Sequence, residues 1–290
     1  MLKPLAALAL LAAAAAPTPV DERLVDGDAI VAMTVQGVSL RVRISPGAPA
    51  MPVFTDTAAG RARLKGGPFG ARFVVGPVKL PARTAVADLT LGPVAFKRRV
   101  AWTERPFAEG VDGVIGPGGV PEQVVRFVLG PSRPGERTLT IPYDDSRWGV
   151  GTAQMTLGGV RTVVRFDPLA PRTVATAAAA VALAAAHRGT VSGDPAPLPI
   201  AFGVERPVRT LTLADPLALG PLTIASLAVR VADGGAANTL READADPDEV
   251  QVVGKGKPGR SSLLIGHDQL RHCSALVFDK AAKQIRLTCG

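Results

Sequence analysis

Aromatic residues are scarce in this chain: one Tyr, two Trp and nine Phe among 290 residues, or 4%. A basic surface that binds nucleic acid stacks bases on aromatic side chains. The net charge of +8 therefore reads as Arg spread over a solvated surface, with small clusters at Lys97-Arg98-Arg99 and Lys255–Arg260, and nucleic acid is not expected as a partner. Histidine and cysteine are rarer still. Three His (His187, His267, His272) and two Cys show no ligand spacing for zinc, so no metal and no cofactor are expected. Asp244, Asp246 and Asp248 imitate part of a calcium loop, but Pro247 interrupts them and the glycine such a loop needs is missing. No apolar run reaches the roughly 20 residues that span a bilayer. Gly (31) and Pro (26) stay below the share that marks disorder.

What the chain does have is Val, Leu, Ala and Ile in short alternating runs separated by Gly and Pro. This predicts a mainly β protein with many turns and short helices. Residues 1–16 carry one Lys, then an unbroken Leu/Ala run, then small residues before Pro17, the layout of a secretory signal peptide cleaved after Ala16. A periplasmic or secreted location follows as an expectation, and such a compartment permits disulfides. Cys273 and Cys289 flank two strand-like segments, Ser274–Asp279 and Gln284–Cys289, around a Lys280–Lys283 turn. That placement predicts that they pair.

The strongest signal is internal. At an offset of 122 residues, Met33–Pro49 lies over Met155–Pro171 with nine of seventeen positions identical. Each copy reads as a strand, a Gly turn, an alternating strand, a Pro-containing turn at Ser45-Pro46-Gly47-Ala48 or Asp167-Pro168-Leu169-Ala170, and an Ala-rich helix. The alternation sets Val38, Leu40, Val42 and Ile44 on one face and Ser39, Arg41 and Arg43 on the other. Helices are predicted over 55–64, capped by Thr55 or Asp56, and over 173–187, stopped at Gly189, with Ala58 and Ala62 aligned to Ala180 and Ala184. Later signals repeat in the same order. Leu91-Gly92-Pro93 answers Leu219-Gly220-Pro221, and Val114-Ile115-Gly116 answers Leu264-Ile265-Gly266. Two lobes follow, at about 20–145 and 146–290, joined near 142–149.

These turns and hydrophobic-hydrophobic-Gly elements, with the closing Ser274–Leu287 segment, resemble the pepsin/retropepsin-like aspartic peptidases over nearly all of 29–289. The resemblance implies a bilobed pepsin-like double-lobe β fold, with Gly116 and Gly266 supporting the two turns. It also implies two carboxylates facing across the lobe interface and sharing one proton. Carried over by position, the first turn has Ser45 where the family has Asp, and the second keeps Asp167 but has Pro168 and Leu169 in place of Thr and Gly. A hydroxyl cannot hold the negative charge that the dyad needs. Leu169 should resist a conformation that Gly allows, and Pro168 removes an N–H donor. The family's substrate-covering hairpin falls between Lys65 and Leu91, which contains no Tyr.

The resemblance thus implies an exported, catalytically degenerate protein whose interlobe cleft binds a peptide or partner segment. The alternative is an atypical endopeptidase using Asp167 with a displaced acid, Asp56, although Thr55-Asp56-Thr57-Ala58 reads first as a helix start. A third reading is a purely structural or envelope-associated module. Asp167 itself reads equally well as a turn-capping acid. His267-Asp268 near Ser262 lacks a nucleophile elbow and reads as a polar helix start.

Overall fold

The structure, a computed structural model, describes residues 21–144, 151–231 and 261–290. The leader-like segment 1–16, most of the 142–149 junction, the Asp244–Asp248 loop and Lys255–Arg260 lie outside the described residues. The chain begins with β1 (Glu22–Val25) and enters a first lobe of β2 (Ile30–Val35), β3 (Val38–Ile44), β4 (Val53–Thr55), α1 (Asp56–Arg61), β5 (Ala71–Val75), β6 (Val78–Leu91), β7 (Val94–Thr103) and β8 (Gly113–Ile115). Then come β9 (Val124–Val128) and β10 (Arg137–Pro142). The second lobe has β11 (Ala153–Leu157), β12 (Val160–Phe166), β13 (Val174–Ala175), α2 (Ala177–His187), β14 (Gly189–Ala201), β15 (Val204–Leu219), β16 (Leu222–Arg230) and β17 (Ser262–Ile265). A short α3 (His267–Leu270), β18 (Cys273–Asp279) and β19 (Gln284–Cys289) close the chain.

The duplication is visible in the strand order. One seven-stranded sheet runs β2-β3-β8-β4-β7-β6-β5 and the other β11-β12-β17-β13-β16-β15-β14, the same pattern twice. In each, the strand before the Pro-containing turn (β3, β12) lies parallel to the late strand (β8, β17), which runs antiparallel to the strand after the turn (β4, β13). An added β2–β6 pairing closes the first sheet into a barrel. The chain is thus a mainly β, two-lobed protein built from a duplicated unit.

Local chemistry explains the repeated corners. The turn between β2 and β3 has both central residues at positive φ (Gln36 48°, Gly37 80°), as does its counterpart between β11 and β12 (Gly158 55°, Gly159 77°), the geometry that suits tightly twisted hairpins. Gly158 is needed twice over, since a Cβ there would lie 2.4 Å from the carbonyl oxygen of Ala182 in α2. Both helices begin with a Thr cap, the Oγ1 of Thr55 accepting from Ala58 N and that of Thr176 from Ala179 N. The caps correct the sequence alignment of the helices, because Thr55 to Thr176 is an offset of 121. One residue is lost between turn and helix, so Ala58 answers Ala179 and Ala62 answers Leu183. The stop of α2 is also one residue earlier than expected: Arg188 takes the left-handed position (φ 49°), and Gly189 opens β14. Thr173 lies outside the helix.

The halves are stitched by a third sheet, β1-β9-β18-β19-β10, to which both contribute strands. β18 and β19 form the hairpin read from the sequence, with Cys273 and Cys289 as register partners joined in a disulfide. One continuous core runs through both lobes and this seam, including Phe54, Phe166, Leu183, Leu211, Phe278 and Ile285. Replacing Cys273 and Cys289 together by Ser is expected to lower unfolding stability by about 2–5 kcal/mol. Denaturant titration of the oxidised wild type beside the double variant checks it, and coincident curves would contradict it.

Candidate functional site

The two Pro-containing turns meet at the lobe interface. Each is held the same way: Ser45 N donates to Ile115 O (2.9 Å) and Asp167 N to Ile265 O (2.9 Å), while Ala48 N and Ala170 N fold back onto the carbonyls of Ser45 and Asp167. Gly116 and Gly266 sit directly beneath. A Cβ on Gly116 would lie 2.2 Å from Ala48 O, and one on Gly266 would lie 2.4 Å from the carbonyl carbon of Arg172. No larger residue fits either place.

Across the interface the turns touch. A Cβ on Gly47 would lie 2.0 Å from Asp167 Oδ2, so the carboxylate of the second turn rests against the bare backbone of the first. The other oxygen, Oδ1, accepts from Leu169 N at 3.0 Å. Here the expectation for Leu169 is corrected. Leu169 is not among the residues at positive φ, and the turn forms without glycine because the Asp167 side chain itself closes it. Burial in the cleft pushes the Asp167 carboxyl up to about 6, opposed by the Leu169 N–H and by the positive charges of Arg165 and Arg43.

Ser45, Asp167 and Ala170 line a cavity of about 270 Å³ together with Arg43, Glu109, Arg172 and apolar groups from Phe107, Leu198 and Ile200. An adjacent cavity of about 200 Å³ is lined by Gly47, Asp167, Arg165, Arg230, Phe73 and Phe202, among others. Pro168 faces away, lining a third cavity with Phe127 and His267, and Ala48 is packed into an apolar cluster with Val53, Val114 and Phe202. Asp56 is held elsewhere. It opens α1 and forms an ion pair with Arg83, and it lines none of these cavities. The sequence pair His267-Asp268 is likewise structural, since Asp268 Oδ1 accepts from Thr173 N (2.8 Å), Thr173 Oγ1 (2.7 Å) and Gln269 N (3.0 Å).

The cleft is covered by the protein's own hairpins. Phe202, at the tip between β14 and β15, meets Phe73 of β5 in a tilted contact and Phe107 edge to face, both with ring centroids 4.8 Å apart. Phe202 takes a left-handed backbone (φ 55°), a costly conformation for a bulky residue, to put its ring there. Sequence reasoning missed this clamp, since nothing local marks Phe202 as a partner of Phe73. It also missed the arginines. Arg43 and Arg165 are one of the nine identities of the repeat, two residues before Ser45 and Asp167, and both turn toward the cleft; the signal was present but read as an outer-face residue. Among the described residues no cluster of His, Cys, Asp and Glu could hold a metal ion, and no helix is long and apolar enough to cross a membrane.

No family model matches the chain, and no curated protein does. Among solved structures, the crystal structure of aspartic proteinase from Irpex lacteus is similar over 90% of this chain and 93% of that chain, at 11% identity and a TM-score of 0.44.

The raised pKa of Asp167 has a sign for stability. Between about 3.8 and 6 the folded protein holds a proton that the unfolded chain gives up, so this group's contribution is fully present below pH 3.8 and is lost as pH rises through 6. Asp167→Asn, whose Oδ1 can still accept from Leu169, should therefore raise Tm at pH 7, by no more than the equivalent of about 3 kcal/mol. The gain should shrink as pH falls to 4. A melting series across that range checks it, and a gain independent of pH would contradict the assignment.

Proposed function

We propose that this protein is an aspartic-peptidase-like binding protein, catalytically degenerate, whose interlobe cleft takes a peptide or partner segment without cutting it. The observation that carries the reading is the contact of Asp167 with Gly47. Where a second carboxylate would have to stand to share a proton with Asp167, the opposite turn offers Ser45 and a bare glycine backbone. One carboxyl near pKa 6 can donate or accept a proton, but peptide hydrolysis by this route needs an acid and a base together. The other acid lining the cavity, Glu109, is exposed at its rim. Asp56 is engaged by Arg83 outside it. The leader-like Met1–Ala16 supports an exported location as part of the same proposal.

The size of the site also argues against processing of a long chain. Cavities of about 200 and 270 Å³ fall below the roughly 300–1,000 Å³ usual for ligand pockets, so each has room for a short segment, and Phe73, Phe107 and Phe202 form part of their apolar walls. The test is incubation of a mixed peptide library with the protein from pH 3 to 7.5, beside Asp167→Asn, Asp56→Asn and Glu109→Gln. No cleavage by any form is the expected result. Cleavage lost in the Asp167 variant would overturn degeneracy, and loss in one of the other two would name the second acid.

A further inference from the structure

Arg165 is a poorly hydrogen-bonded cation in the cleft. It stands on β12 two residues before Asp167, its Nε is buried without a hydrogen-bond partner, and its Nη2 reaches Ser262 Oγ at a long 3.5 Å. A guanidinium normally brings its fork of donors to a carboxylate or phosphate, and burying it otherwise is unfavourable. Burial and the nearby charge of Arg230 both work against its protonated form, while Asp167 favours it. Asp167 acts on it through charge alone and not through a hydrogen bond, since its Oδ1 accepts from Leu169 N and its Oδ2 faces Gly47. Arg165 and Arg230 line one wall of the 200 Å³ cavity. Asp167 lines it too, and the remaining walls include Phe73, Val75, Ile200, Phe202 and Leu264.

We propose that this cavity binds a carboxylate carried on a small apolar group, as the C-terminal residue of a peptide presents it, with Arg165 and Arg230 receiving the carboxylate and the Phe73–Phe202 side receiving the apolar group. The inference rests on the cleft-binding reading above and makes it specific. A cavity this small admits the end of a chain and not its middle, and the end of a chain carries the paired acceptors that the Arg165 guanidinium is short of. A free aryl or alkyl acid presents the same chemistry, so the two sources are separated by experiment.

The experiment is calorimetric titration of the full chain with N-acetyl-Ala-Phe as free acid, with the same dipeptide as its amide, and with 3-phenylpropionate. Each is repeated on Arg165→Gln and Arg165→Lys, with thermal melts to verify folding. The expected result is binding of the free acid, weakened about tenfold or more by amidation and by Arg165→Gln, and less by Arg165→Lys. Equal binding of acid and amide leaves the cleft reading standing and overturns the carboxylate site. Binding of 3-phenylpropionate with neither peptide bound keeps the carboxylate site and overturns the peptide reading. No binding by any probe overturns both. Should Arg165→Gln fail to fold, the acid-against-amide comparison on the unaltered protein still decides.

Discussion

Two glycine contacts hold the centre of this molecule in place. Gly116 lies under the carbonyl of Ala48 and Gly266 under those of Ala170 and Arg172, at separations that leave no room for a Cβ. Neither residue is chosen for a left-handed backbone; both are chosen for space. Because β8 and β17 can approach that closely, each Pro-containing turn is pinned to the sheet behind it, and the two turns are brought face to face. The cleft, the contact of Asp167 with Gly47 and the cavities on either side all follow from that approach.

With the scaffold repeated so closely, the differences between the halves stand out as chemistry. The backbone bonds at Ser45 and Asp167 match to within the precision of the geometry, yet one side chain is a small neutral hydroxyl and the other an acid that shapes its own turn. The arginine is kept in both copies as Arg43 and Arg165, so the single acid at the turns, Asp167, is bordered by a pair of cations related by the duplication. A symmetric acid pair would make this a place where a proton is shared. As built, its balance is positive, and the apolar walls around it raise the strength of any charge contact formed there.

Much of this was legible in the sequence for a specific reason: duplication converts a weak local pattern into a comparison. Val38–Ile44 alone could be any alternating strand, but set over Val160–Phe166 it fixed the turns, the late Val-Ile-Gly and Leu-Ile-Gly strands and the order of elements. The closing hairpin was legible because Cys273 and Cys289 bracket a turn of the right length. Other features had no local signature. The slip from offset 122 to 121 occurs inside a turn, where insertion costs little. That Leu169 could replace glycine depended on the Asp167 side chain supplying the closing bond. The Phe202 clamp joins residues 129 and 95 positions apart, from opposite lobes, and only the folded chain brings them together.

The shared sheet sets a condition on how such a chain can be made. Among the described residues, β9 has one edge that β18 fills, and β10 finds its partner in β19, whose last residue is Cys289. The first lobe can close its barrel as soon as β8 is in place, but the seam that fixes it against the second lobe uses the final strands of the chain. An edge made early in the chain therefore waits through roughly half of its length for the strand that fills it, and the shared sheet is complete only when the last hairpin has been made.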